Sequence, residues 1–336
     1  MSRFLVTGAN GFVGDALQRR LAAAGHRVVY VARGDAGLDA SVGRGADSLI
    51  VRAQTDFVGL AERWSANVRC DYAIHLAARV HVMQESSTDM LARYRETNVA
   101  GTLRVAEAAL RAGVGRFLFV SSVKAMGDRE PGTPPRAWSE RDSPTPLDPY
   151  GISKLEAEGA LREFCTRHRM ELVIVRPPLV YGPMVRANFR QLLSWIARGR
   201  PLPLGRVAAQ RSMIHVDNLV DAMLACLVDP AAAGETFNVS DGEDLTVADI
   251  ARRLGAAMGR PARLLPVPPA VLKMAASLCG RTEQADRLLQ PLRVDIRHIR
   301  ALIGWRAPVD IDEGLSETAL WYRDAFLSTS PSQGRT

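Results

Sequence analysis

The chain has 336 residues, is 47% hydrophobic, and carries a formal charge of +7 with a pI near 9.6. That length allows one large core or two modest domains. The basic balance admits nucleic acid, an anionic membrane or small phosphorylated ligands; the arginines are scattered and no basic run alternates with aromatics, which argues against nucleic acid and for anionic small molecules. Cys70, Cys165, Cys226 and Cys279 are far apart, with no CxxC pair, so neither a disulfide framework nor a metal site is expected. The opening MSRFLVTGAN lacks the apolar core of a signal peptide, and no run is long enough to span a membrane. The expectation is a cytoplasmic protein without stable membrane insertion.

In chain order, RFLVT (3–7) reads as a buried strand, followed by GANGFVG and an amphipathic helix, ALQRRLAAAG, stopped by Gly25. RVVYVAR (27–33), DSLIV (47–51) and CDYAIHLAA (70–78) read as further strands. A helical pattern covers about 89 to 112, then RFLFVSS (116–122) is a strand, YGISKLEAEGALREFCTRH (150–168) a helix and ELVIVRPP (171–178) a strand. Strands alternating with helices predict an α/β fold, a Rossmann doubly wound parallel sheet. After Pro178 the elements shorten, with isolated strands such as TFNVS (236–240). This predicts a first domain over 1–178 and a smaller C-terminal α/β substrate domain over 179–327, with room for segments that return to the first, before a disordered tail, 328–336. The proline-rich loop 127–149 is long enough to be functional or mobile. The apolar stretch LLPVPPAVLKMAASL (264–278) reads as a packed amphipathic helix, with membrane contact as the alternative.

Gly8, Gly11 and Gly14 lie between the first strand and first helix. Glycines there let backbone approach a pyrophosphate, and the helix N-terminus adds free N–H groups and a positive dipole end. An acid at the end of the second strand would bind the ribose 2′-OH of NAD. Here the strand ends Val31-Ala32-Arg33, and a guanidinium suits a 2′-phosphate, so NADP is favoured over NAD.

Only three lysines occur, Lys124, Lys154 and Lys273. Lys154 follows Tyr150 by four residues, which puts both on one helix face. An ammonium beside the phenol, with the positive nicotinamide ring, would favour the phenolate and let the pair exchange a proton with a substrate oxygen. Ser122 ends a strand, where side chains reach the ligand crevice of a parallel sheet.

With these motifs assembled, the sequence resembles the extended short-chain dehydrogenase/reductases, the NAD-dependent epimerase/dehydratase group acting on nucleotide sugars. TGANGFVG (7–14), HLAA (75–78), NVAGT (98–102), VSSVKAMG (120–127), YGISK (150–154), RPPLVYGP (176–183) and RSMIHVDN (211–218) fall in that group's order. The resemblance implies Tyr150 as acid/base, Lys154 as its partner and ribose anchor, and Ser122 as the group that orients the substrate oxygen. It implies Gly8, Gly11, Phe12, Gly14, Ala77, Ala78 and the Pro178 backbone around the cofactor, with Asn98 supporting the site. It implies Arg211 on the sugar-nucleotide pyrophosphate, Asn188 at the substrate, and a homodimer through helices near 89–112 and 150–168. Two departures stand out. Ala53-Gln54 replaces a Gly-Asp pair after the third strand, and Lys124 stands where a small threonine or serine is common.

The segments AARVHVM, PYGISKLEAE, RPPLVYGP and VSDGEDLT resemble a bacterial branch of UDP-N-acetylquinovosamine 4-reductases, often labelled UDP-glucose 4-epimerase, in surface polysaccharide synthesis. In that setting Arg79 and His81 follow a strand end and are candidates for substrate contact. The expected reaction is reduction of a UDP-4-keto-6-deoxy-N-acetylhexosamine at C4. The alternatives are C4 epimerisation of a nucleotide- or lipid-linked sugar with tightly held NAD, and a non-catalytic cofactor-sensing or RNA-binding relative.

Overall fold

The computed structural model describes residues 1–33, 49–80, 89–280 and 282–327. Its strands are β1 (Arg3–Thr7), β2 (Arg27–Arg33), β3 (Leu49–Ala53), β4 (Tyr72–His75), β5 (Arg116–Val120), β6 (Glu171–Arg176), β7 (Leu179–Tyr181), β8 (Gln210–Arg211), β9 (Met213–His215), β10 (Thr236–Asn238) and β11 (Leu245–Thr246). Its α-helices are α1 (Phe12–Ala23), α2 (Met90–Arg95), α3 (Gly101–Arg111), α4 (Pro149–His168), α5 (Ala187–Ala197), α6 (Val216–Val228), α7 (Val247–Ala257), α8 (Pro269–Leu278), α9 (Thr282–Leu289), α10 (Arg297–Ile303) and α11 (Ile311–Phe326).

Seven strands form one sheet in the order β10-β6-β5-β4-β1-β2-β3, parallel throughout. Continuous apolar runs are what a sheet covered on both faces requires. The two-residue period then divides each run between two cores. Phe4 and Val6, Val28 and Tyr30, Leu118, Val173 and Val175 meet Leu17 and Leu21 of α1 and Leu219 and Met223 of α6. Leu5, Val29 and Val31, Phe117 and Phe119, Leu172 and Ile174 meet Val105 and Ala109 of α3 and Leu161 of α4. The order in which strands are added reverses between the parallel neighbours β1 and β4, so a crevice opens at their carboxyl ends. A third core joins α5, α7 and α11 through Leu193, Leu254 and Leu315.

Several ends differ from the sequence expectation. The first helix begins at Phe12, directly on Gly11, and ends at Ala23, with Gly25 in the left-handed region (φ 70°). The pattern at 89–112 is not one helix. A π-helical segment, Glu96–Ala100, separates α2 from α3 and carries Asn98; such segments are frequent at functional sites. The loop 127–149 is tied to the C-terminal segment. Trp138 is buried, its N donates to Arg293 O at 2.9 Å, its O accepts from Asp295 N at 2.8 Å, and Arg293 pairs with Glu130.

Candidate active site

The glycine turn closes on the end of β4. Gly8 has φ 73°, and a Cβ there would lie 2.7 Å from Ala77 N. A Cβ on Gly14 would lie 2.3 Å from Gly8 O, and one on Gly11 3.1 Å from the same oxygen. Only glycine closes this turn, and the turn leaves the α1 N-terminus, with Phe12 half-buried on it, open to the crevice. Thr7 Oγ1 lies 2.6 Å from His75 Nδ1 and accepts from Ala77 N at 3.2 Å; His75 Nε2 lies 2.9 Å from Thr102 Oγ1. This chain clamps β1, β4 and α3 beneath the crevice. A backbone cradle that every added Cβ would fill, facing a helix N-terminus, fits a dinucleotide pyrophosphate.

Asn98 sits beyond that cradle. Its Oδ1 accepts from Arg79 N at 2.7 Å, and its Nδ2 donates to Arg79 O at 3.1 Å and to Ser153 Oγ at 2.9 Å. Asn98 therefore ties the segment after Ala77 and Ala78 to the helix that bears Tyr150. The Arg79 guanidinium lies 5.9 Å from the Tyr94 ring centre. Arg33 ends β2, but its side chain and all of His81 lie outside the described residues. Ala53 is buried and Gln54 exposed.

Helix α4 starts on Asp148, whose Oδ1 accepts from Gly151 N at 2.7 Å, with Pro149 in its first turn. That start fixes Tyr150. Its phenol is pushed up to about 12, chiefly by burial, with the neighbouring Ser122 acting downward and Asp148 and Tyr94 upward. Lys154 is buried. Its Nζ donates to Val120 O at 2.7 Å and lies 4.1 Å from the Phe119 ring centre. Burial draws this amine down to about 7, with Glu158 acting upward. The sequence places Lys154 as the cation acting on Tyr150; in the structure its hydrogen bond runs to the end of β5. Beneath both lies a buried network that sequence reading missed. Ser121 Oγ donates to Glu158 Oε1 at 2.5 Å, and Arg176 Nε donates to the same oxygen at 2.9 Å. The only advance signal was Glu158 one helical turn after Lys154.

A cavity of about 760 Å³ opens beside Ser122. Ser122, Lys124, Pro178, Asn188 and Arg211 line it together, as do Asp128, Gln191, Trp195, Leu204, Leu288 and Gln290. Arg211 Nη2 donates to Gln290 O at 3.1 Å, and burial draws its pKa down. Asn188 is exposed at the first turn of α5. Lys124 Nζ pairs with Asp128 and lies 3.5 Å from Asp148 Oδ2. Thus the proposed substrate residues Lys124, Asn188 and Arg211 share one cavity, while Arg79 lies on the Asn98 side.

The sheet order and the crevice at its switch point define a Rossmann-type fold. The chain belongs to the NAD dependent epimerase/dehydratase family, whose model matches residues 4–240. A UDP-glucose 4-epimerase of Vibrio cholerae is 38% identical over 333 residues, covering 97% of this chain and 96% of that protein. The N-acetyl-alpha-D-glucosaminyl-diphospho-ditrans,octacis-undecaprenol 4-epimerase of Escherichia coli O157:H7 is 31% identical over 239 residues, or 67% and 70% of the two chains. The crystal structure of UDP-glucose 4-epimerase with UDP-glucose from Thermotoga maritima superposes with a TM-score of 0.77 at 25% identity, covering 96% of this chain and 99% of that one.

Proposed function

We propose that this chain is an NAD(P)-dependent oxidoreductase working at C4 of a UDP-linked hexose. In its net direction it reduces the 4-keto group of a UDP-4-keto-6-deoxy-N-acetylhexosamine for surface polysaccharide synthesis in the cytoplasm. The observation that carries this reading is Tyr150 set beside Ser122 at the edge of a cavity that also holds Arg211. When bound, the nicotinamide supplies the hydride for C4. Tyr150 gives its proton to the oxygen on C4; a phenol pushed up to about 12 is protonated at neutral pH, the state that reduction needs. Ser122 orients that oxygen. Lys154 would hold the cofactor ribose, and Gly8, Gly11, Phe12, Gly14, Ala77, Ala78, Asn98 and Pro178 would enclose the cofactor. Arg211 would hold the pyrophosphate as a planar, charge-assisted donor. Lys124, Asn188, Arg79 and His81 would meet the sugar nucleotide. Residues 1–178 would bind cofactor and 179–327 substrate, with β10 and α6 returning to the first domain's sheet, in a homodimer formed through the helices near 89–112 and 150–168.

Two considerations favour net reduction. The second strand ends in Arg33 without an acid, which suits NADPH, the pool that cells keep reduced. Lys124 replaces a small residue at the cavity wall, where an epimerase needs room to turn its sugar. The second reading, C4 epimerisation with retained NAD, is favoured by the 38% identity to a protein named UDP-glucose 4-epimerase. The test is the cofactor that copurifies, followed by assay with both substrates. An empty site and consumption of NADPH with the 4-keto sugar support reduction. Retained NAD, with UDP-glucose converted to UDP-galactose without added cofactor, supports epimerisation.

A further inference from the structure

Helix α8, PAVLKMAASL, is amphipathic, yet none of its residues is buried. Its inner side is thin: Leu272 meets the third core, and the helix rests on α9, with Lys273 Nζ 3.2 Å from Asp286. The opposite side is apolar and open. Val271 is 44% exposed, Met274 61% and Leu278 85%. Positions i, i+3 and i+7 share one helix face, so these side chains and Ala275 form a single stripe. Leu265, just ahead of the helix, is 46% exposed. The expectation of a packed amphipathic helix at 264–278 therefore holds for one face and fails for the other.

Charge says what covers that face. Residues 250–282 contain no Asp or Glu and six basic residues: Arg252, Arg253, Arg260, Arg263, Lys273 and Arg281. Arg252 and Arg253 pair with Asp249, Glu243 and Asp312. Arg260 and Arg263 are exposed on the segment leading into the stripe. A second copy of the chain fits poorly. Four side chains fall well short of the roughly 800 Å² per partner of a standard interface, and a two-fold contact here would bring the exposed Arg260 and Arg263 toward their own copies. An anionic bilayer satisfies both halves of the surface, since interfacial helices bind through apolar area plus attraction to acidic lipids.

The segment leading into α8 is tied to the cavity wall. Leu202 N donates to Arg263 O at 2.8 Å, Leu265 N to Leu202 O at 2.8 Å, and Gly205 N to Leu265 O at 2.9 Å. Leu202 and Leu204, on one side, and Leu288 of α9, on the other, are cavity walls. Among the described residues no helix is long and apolar enough to cross a membrane.

We propose that α8 seats this protein peripherally on an anionic phospholipid surface, its Val271–Leu278 stripe in the interface, its basic flank on the headgroups and the cavity mouth beside the membrane. The inference is independent of which sugar the cavity takes. The test is flotation of the full chain with vesicles of phosphatidylcholine alone and of phosphatidylcholine mixed with phosphatidylglycerol, at low and high salt. Partition onto the anionic vesicles should exceed that onto phosphatidylcholine by at least about tenfold and weaken with salt. Met274→Asp with Leu278→Asp should lower it by at least about tenfold, and Arg263→Glu several-fold, with thermal stability and turnover of a water-soluble UDP-sugar unchanged. Absence of partition onto the anionic vesicles, or partition undiminished in the double variant, overturns the proposal. So does a wild-type dimer that the double variant dissociates, which would give the stripe to a second copy.

Discussion

The two sides of the cleft are built from different material. The proposed cofactor side is backbone: Gly8 closes on Ala77, Gly11 and Gly14 close on Gly8 O, and their Cβ atoms would lie 2.3–3.1 Å from that backbone, over a Thr7–His75–Thr102 chain. The proposed substrate side is side chain: Trp195, Leu204, Leu288 and Gln290 come from two segments far apart in the sequence, and Leu204 and Leu288 join them through the third core. Backbone geometry has few solutions, because a Cβ in a closed turn has nowhere to go. A side-chain wall has many, because apolar residues of similar volume exchange at small cost. Chemistry common to a family should therefore lie on the first side, and substrate choice on the second.

The sharpest way to break this contrast is at its seam. Tyr150→Phe removes the proton and keeps the ring. Turnover should fall by at least about a hundredfold with cofactor affinity nearly unchanged. A variant keeping most of its activity would separate Tyr150 from the acid/base step. On the backbone side, Gly14→Ala sets a methyl 2.3 Å from Gly8 O. Overpacking of this kind costs about 1–3 kcal/mol, so cofactor affinity should drop by about tenfold or more, measured by fluorescence titration. Wild-type affinity would show that the cradle gives way. On the side-chain side, Arg211→Ala should raise KM for a UDP-sugar by about tenfold and leave kcat within about twofold, since a pyrophosphate contact exists before and during the reaction alike. Loss in kcat alone would move Arg211 into the chemical step.

The smallest effect concerns Lys154 and pH. Burial draws its amine down to about 7, whereas an unfolded chain holds the proton to about 10.4. Between these values the unfolded chain binds a proton that the folded one lacks, so this group makes stability rise with pH above about 7 and lowers it as pH falls through 7. Between pH ~6.5 and ~8.5 the gain is at most about 2 kcal/mol. Thermal midpoints of the cofactor-free protein should climb over that interval, and Lys154→Met should flatten the climb. An equal climb in the variant would put the titration elsewhere.

The same contrast explains what the sequence made legible. The glycine turn, the Tyr150–Lys154 spacing and the alternating strands are local patterns with one structural solution each. The π-helical segment that carries Asn98 was hidden, since its composition continues the helical pattern of 89–112. The Lys124–Asp128–Asp148 group was hidden because Asp148 lies 24 residues beyond Lys124 in the sequence and only the fold brings it to 3.5 Å from Lys124 Nζ. Helix α8 looked like a core helix because periodicity reports an apolar face without saying what covers it.

Net hydride delivery to C4 can be followed by isotope. Protein freed of bound nucleotide is given NADPH deuterated at the transferred position and the UDP-4-keto-6-deoxy-N-acetylhexosamine, and the product is read by NMR and mass spectrometry. Net reduction gives one deuterium at C4 per product molecule and one NADPH oxidised for each. Unlabelled product, or UDP-glucose turned into UDP-galactose with the added NADPH untouched, would contradict it.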